Sequence, residues 1–332
     1  MTSIIDDIHA HAARHVRTVA LPEATDERVL RAAVEVKSRG IANPVLLGST
    51  DEIREKAKSS KLELGDIVCL DPQVLKSSDE LIDHLASCRR YRRWSRAGLS
   101  EALTKPLMAA CCLLATGQVD ACVAGAISDS AEVIRHGQRV VGMHAGSNGL
   151  LSSFFLMVYA SPPVTGMDFA LFADCAINVS PNCEQLAQIA VTTAASAAQL
   201  FELNPHLALL SFSSDGSARH IEAARVRCAV SQIGEQYPAL RVIGEIQFDA
   251  ALLPSLRETK MPGAAYARPA NVYIFPDLNS GNIAYKVAER IGGAKVIGPI
   301  LQGLNKPLND VSRGADVEAI VNTIALSCLQ VD

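Results

Sequence analysis

Short apolar runs alternate with stretches of helical periodicity along this chain, and their order predicts the architecture. Thr18 to Leu21 is a short strand, Val29 to Val36 repeats apolar residues at helical spacing, and Pro44 to Leu47 is the next strand, so the chain opens with a strand, helix, strand unit. Val119 to Ala124 predicts a further buried strand; the small-residue loop Gly125 to Ser130 leads from it into a helix holding Arg135 and Arg139. A Gly-rich stretch, Gly142 to Gly149, marks the expected domain boundary.

Beyond it the same alternation resumes. Phe154 to Val158 and Phe169 to Phe172 read as strands, the second ended by Asp174, and Cys183 to Leu200 as an Ala-rich amphipathic helix. Leu207 to Phe212 is a buried strand followed by Ser213-Ser214-Asp215-Gly216-Ser217. Val242 to Phe248 alternates in strand fashion, with Glu245 and Gln247 on its polar face. Asn271 to Phe275 is another strand, closed by Pro276-Asp277. Asn279-Ser280-Gly281-Asn282 reads as a turn before a helix from Ile283 to Ile291 that carries Lys286, Glu289 and Arg290. Val296 to Ile300 is a strand broken at Gly298-Pro299, and Ser312-Arg313-Gly314 precedes a final helix.

A chain of 332 residues exceeds one compact core and suits two α/β domains. Its net charge of -4 argues against a nucleic-acid partner, whose footprint would be basic. The N-terminus, with Asp6 and Asp7 among short apolar residues, lacks the basic flank and apolar stretch of a signal peptide. No run approaches the roughly 18 apolar residues of a membrane helix. Nine scattered cysteines with no C-x-x-C pair indicate neither a disulfide framework nor a zinc site, and a reducing cytoplasm fits best.

Nucleotide-binding glycine motifs, H-E-x-x-H and metal-spaced His or Cys clusters are missing, so no metal and no tightly bound cofactor is expected. What remains is Arg, Ser, Asn and Gly at loop positions, suited to phosphate-bearing small molecules. Candidate binding residues are Ser130 in the Gly125 to Ser130 loop, Ser214, and Asn279, Asn282, Lys286 and Gln302 near the later strand ends. The Ser213 to Ser217 loop serves an ordinary helix cap equally well. The patch Arg89, Arg90, Arg92, Arg93 and Arg96 reads either as a solvated helix face or as an attractor for an anionic ligand.

Seven blocks in order over nearly the whole chain resemble the phosphate acetyltransferases: LPEATDERVLRAA, VAGAISDSAEVIR, FADCAIN, LLSFSSDGSA, GEIQFDAAL, FPDLNSGNIAYK and GPILQGLNKPLNDVSRG. The resemblance implies two three-layer α/β/α domains with a cleft between them, the first formed by 1-146 plus 300-332 and the second by 147-299. It also implies a homodimer, and interconversion of acetyl phosphate and coenzyme A with acetyl-coenzyme A and phosphate by direct thiol attack. Coenzyme A is then a substrate. The related phosphate butyryltransferases, and a weakly catalytic homologue that binds coenzyme A, are the alternatives. Ser312 and Arg313 are carried over as reaction-centre residues, and Arg135 and Arg290 as contacts to the coenzyme's phosphates. The family Asp proposed as thiol base corresponds to Ala319 here, with Asp316 and Glu318 nearby. Asp316 shares a helix face with Ala319 and is the better-placed substitute, but it also suits the N-cap of the last helix. Arg268-Pro269 is a second departure, standing where the family has Gly-Lys.

Overall fold

A computed structural model describes residues 3–164, 166–263 and 268–331. In chain order its elements begin with α1 (Ile4–Ala12), β1 (Arg17–Leu21), α2 (Glu27–Ser38), β2 (Ala42–Leu47), α3 (Thr50–Ser59) and β3 (Val68–Leu70). Then come α4 (Asp79–Ser87), α5 (Arg96–Ala102), α6 (Pro106–Thr116), β4 (Ala121–Ala124) and α7 (Ser130–His136). The next stretch holds β5 (Ser152–Val158), β6 (Phe169–Ala173), α8 (Cys183–Phe201), β7 (His206–Leu210), α9 (Ile221–Gln236) and β8 (Arg241–Ile246). It continues with α10 (Phe248–Leu252), α11 (Pro254–Lys260), β9 (Val272–Ile274), α12 (Leu278–Arg290) and β10 (Lys295–Gln302). Last come β11 (Leu308–Asp310) and α13 (Val317–Leu329). Two compact units result: Met1–Ala145 with Leu304–Asp332, and Gly146–Gly303.

The first unit is built on a wholly parallel sheet in the order β11-β4-β1-β2-β3. From β1 the chain moves outward through β2 and β3, then returns to the other side of β1 as β4. The strand order therefore reverses between β1 and β4, the position where open parallel sheets bind ligands outside their carboxyl ends. α2 and α13 pack on each other and on the sheet, while α6 covers β4 and β1 together with α4. Leu81, Leu85, Leu103, Cys112, Leu114 and Cys122 fill that second group's core. Apolar strands buried on both faces need such cover.

The second unit's sheet runs β10-β5-β6-β9-β7-β8, with β5 antiparallel to both β10 and β6 and the remaining pairs parallel. Phe155, Phe172, Tyr273 and Phe275 pack in its core. The mixed α/β class is as expected, with several local differences. β8 ends at Ile246, and Phe248 opens α10 instead of continuing the strand. Glu245, expected on a polar face, is fully buried because it holds a neighbouring loop. α12 begins at Leu278, so the expected turn residues lie inside it: the Asp277 side chain accepts from Ser280 N at 2.8 Å and starts the helix early. β10 runs on through Pro299 to Gln302, with a register shift between Ile297 and Ile300. As an edge strand it tolerates a residue with no N–H.

Arg89 to Arg93 lie in a turn between α4 and α5, not on a helix face. Cys183 and Cys228 form a disulfide between α8 and α9, a correction to the expectation that none would form. The fold sets two residues 45 apart in sequence side by side. Among the described residues no single helix is long and apolar enough to cross a membrane.

Candidate active site

Three loops meet at the carboxyl edge of the parallel sheet in the first unit: Pro22 to Asp26 after β1, Gly125 to Asp129 after β4, and Val311 to Ala315 after β11. Each is tied to another by a side chain. Glu23 is 6% exposed, and its two oxygens accept from Ala126 N at 2.6 Å and Ser128 N at 2.7 Å, so one carboxylate holds the β4 loop against the β1 loop. Arg28 joins all three. Its Nη1 donates to Arg313 O at 2.6 Å and Ala315 O at 2.8 Å, and its Nη2 donates to Asp26 Oδ2 at 2.7 Å and Ala126 O at 3.1 Å. A guanidinium spends all these donors on carbonyls and a carboxylate because its fork is rigid and always charged. The pairing with Asp26 raises the pKa of Arg28 further.

Fixing the Arg313 carbonyl leaves its guanidinium outside. The Arg313 side chain is 60% exposed and forms an ion pair with Asp129. Ser312 beside it is exposed, its hydroxyl accepting from Gly314 N at 3.2 Å. An exposed Arg held by an exposed Asp is readily recruited by a stronger anion, since such a pair is worth under about 1 kcal/mol.

Behind these residues sits Asp310, the last residue of β11 and 3% exposed. It was not among the sequence candidates. Gly125, at φ +105°, passes so close that a Cβ there would lie 2.1 Å from Asp310 Oδ1 and 2.4 Å from Val311 O. Only glycine fits that approach. Asp310 Oδ1 has no hydrogen-bond partner, while the Ser130 hydroxyl bonds to the carboxylate. Burial pushes the Asp310 pKa up to about 6, opposed by the Ser130 hydrogen bond and reinforced by the nearby Glu23 carboxylate. The sequence signal was Asn309-Asp310 ahead of the Arg loop, but the burial of that carboxyl depends on Gly125, far away in the chain.

Ser130 is the first residue of α7 and exposed; Arg135 is exposed in its last turn. Asp316 is the N-cap of α13, its Oδ1 accepting from Ala319 N at 2.8 Å, and Glu318 is exposed in the same first turn. Asp316, the carboxylate that shares a helix face with Ala319, is therefore engaged in starting a helix.

In the second unit, buried Glu245 accepts from the Ser213 hydroxyl at 2.6 Å and Gly216 N at 3.1 Å, and pairs with Arg227 at 2.7 Å. Ser214 is 4% exposed, its hydroxyl accepting from Gln247 N at 3.0 Å. Gln302 is likewise buried, bonded to Thr193 and Ser196. Both candidates thus serve internal hydrogen bonding. Asn279, Asn282, Lys286 and Arg290 all lie on α12, and their spacing of three, four and four residues sets them along one helix face. Asn282 donates to Cys175 O at 3.2 Å, Lys286 lies 5.2 Å from the Tyr285 ring centroid, and Arg290, 81% exposed, pairs with its neighbour Glu289. In the first unit Arg89, Arg90, Arg92, Arg93 and Arg139 surround an open pocket of about 720 Å³ with Trp94. Among the described residues no group of three or more His, Cys, Asp or Glu is placed to hold a metal ion.

The phosphate acetyl/butaryl transferase family model matches residues 3–328. A phosphate acetyltransferase from Thermoanaerobacterium thermosaccharolyticum is 38% identical over 328 residues, covering 99% of each chain. The solved structure of a phosphotransacetylase from Streptococcus pyogenes superimposes with a TM-score of 0.90 at 33% identity, covering 100% of this chain and 99% of that one. One from Staphylococcus aureus gives 0.89 at 32% identity, covering 99% and 98%. This chain, with its Arg loop stapled to the carboxyl edge of a parallel sheet, is thus similar to these enzymes over nearly its full length, and the protein belongs to the phosphate acetyl/butaryl transferase family.

Proposed function

We propose that this protein is an acyltransferase that interconverts acetyl phosphate and coenzyme A with acetyl-coenzyme A and phosphate. Its membership of the family and its similarity to phosphate acetyltransferases over nearly the whole chain support that reading. The observation that carries it at the level of residues is Arg313: an exposed guanidinium on a loop whose backbone Arg28 immobilises, at the carboxyl end of β11. In this reading the phosphate group of acetyl phosphate displaces Asp129 from Arg313. The guanidinium then meets the charge that builds on the departing phosphate, and Ser312 adds a hydroxyl. The thiol attacks the acetyl carbon directly. Arg135 on α7 offers a cation to the phosphates of coenzyme A.

A homodimer in the cytoplasm completes the proposal. The dimer is supported by Ile283, Val287 and Ile291, which are 62%, 49% and 83% exposed at four-residue spacing along α12 and its C-terminal end, a stripe a second copy would cover. Thiol release from acetyl-coenzyme A with phosphate, repeated with arsenate, tests the activity. Phosphate-dependent release is expected, and none would reject the reading. Rates with acetyl, propionyl and butyryl phosphate rank the acyl groups, with acetyl fastest.

A further inference from the structure

Three observations converge on one buried carboxyl in the first unit. Asp310 has an oxygen with no partner, packed against the Cα of Gly125. Its carboxylate takes a hydrogen bond from Ser130, which is exposed at the same sheet edge as Arg313. And Asp316, the obvious replacement for the family base, already accepts the Ala319 N–H as a helix cap.

We propose that Ser130 and Asp310 form a two-residue proton relay for the thiol of coenzyme A, with Ser130 touching the sulfur and Asp310 as the positioning residue and proton store behind it. The inference rests on the transferase reading. A hydroxyl alone is too weak a base to take a thiol proton, but one that donates to a carboxylate can pass its own proton on as it accepts another. In the forward step the sulfur attacks the acetyl carbon of acetyl phosphate. The S–C bond forms, the C–O bond to phosphorus breaks, and the electron pair leaves on the phosphate. The thiol proton moves to the Ser130 oxygen, the Ser130 proton moves to Asp310, and both shift back when the departing phosphate takes a proton. No oxidant, reductant or further reactant enters.

The surroundings suit a group that changes charge once per turnover. Glu23, from the loop after β1, acts on Asp310 and favours its protonated form. Asp26 is committed to Arg28 and Asp129 to Arg313. Cys122 of β4 is kept a neutral thiol by burial. Glu132, Arg135 and His136 of α7 and Glu318 of α13 complete the acidic and basic side chains of the elements packed on β11, and none of these four is buried.

The test is the rate of acetyl-coenzyme A formation at saturating substrates from pH 5 to 8.5, with the full chain. Wild type should lose kcat on the acid side with a midpoint near 6, the value set by Asp310. Asp310→Asn should lower kcat roughly 30-fold or more, leave the KM for acetyl phosphate within about threefold, and abolish that acid limb. Ser130→Ala, a change at an exposed position, should reproduce the loss, and the double variant should be no slower than the worse single one. A wild type that forms no acetyl-coenzyme A overturns the activity and the relay with it. A wild type that turns over while Ser130→Ala stays within threefold overturns the relay alone. A folded Asp310→Asn that keeps the wild-type acid limb does the same. If Asp310→Asn fails to fold, Ser130→Ala decides by itself.

Discussion

Asp174 in the second unit and Asp310 in the first both sit at the carboxyl end of a strand, and both are almost wholly buried, at 2% and 3% exposure. They differ in what surrounds them. Asp174 accepts from the Ser153 hydroxyl at 2.5 Å, from Ala176 N, Ile177 N and Asn178 N between 2.9 and 3.2 Å, and from Asn178 Nδ2 at 2.5 Å. Asp310 has Ser130 and, on its other oxygen, nothing. The first carboxylate fixes the turn that follows its strand. The second is left with its charge poorly compensated. Equal burial therefore leaves one carboxyl tied into a turn by hydrogen bonds and the other short of partners, and the supply of N–H donors decides which.

The contrast can be broken by substitution, beginning where the effect is largest. Arg313→Ala removes the exposed guanidinium of the proposed site and should lower kcat about 10²- to 10³-fold. Thermal unfolding should be unchanged, because only an exposed ion pair is lost; a kcat within threefold of wild type would take Arg313 out of the mechanism. Asp174→Ala should act on the fold instead, stranding several buried donors at once, with a loss of about 4 kcal/mol in urea unfolding. A loss below about 1 kcal/mol would show that the turn after β6 does not need the Asp174 side chain.

Next is the pH dependence of stability. The folded-state pKa of Asp310 lies above its ordinary value, so the folded protein binds the extra proton. The stabilisation is fully present below about pH 4 and is lost as pH rises through 6. Asp310→Asn lacks that loss, so its stability relative to wild type should rise by roughly 2–3 kcal/mol between pH 4 and 7. A constant difference across that range would mean that Asp310 is solvated after all. Smallest of all is Ala319→Asp, which restores the family carboxylate. If Ser130 and Asp310 already carry the proton, kcat should move less than about twofold. A tenfold gain in steady-state rate would show that the base is missing.

Most of the fold was legible because its signals are local. The apolar runs ending at Leu21, Leu47, Ala124 and Phe172 became strands close to where the pattern set them, since buried parallel strands need continuous apolar sequence. The misses lie where tertiary contacts override local preference. Asn279-Ser280-Gly281 reads as a turn by composition, yet Gly281 is inside α12, where a Cβ would lie 2.9 Å from Asp174 O. That glycine is a packing choice, not a helix breaker. Pro299 looks like a strand stop, but an edge position with a register shift absorbs it. The Cys183–Cys228 bridge had no signal at all, because spacing says nothing about which helices lie side by side. At the sheet edge proposed as the active site, Ser312 and Arg313 were legible from their block. Asp310 was not, since its chemistry depends on the lack of a Cβ on Gly125 and on Glu23 at the far end of the sequence.

The parallel sheet takes its edge strand β11 from the segment that follows the whole second unit, and α13 from that segment packs on α1 and α2. During synthesis, which delivers the chain from its N-terminal end, residues 146–303 are thus complete and able to fold while the β4 edge of the first sheet is still uncovered. A ribosome paused late in the message holds a nascent chain with that edge exposed, and it is at this stage that a chaperone has most to protect.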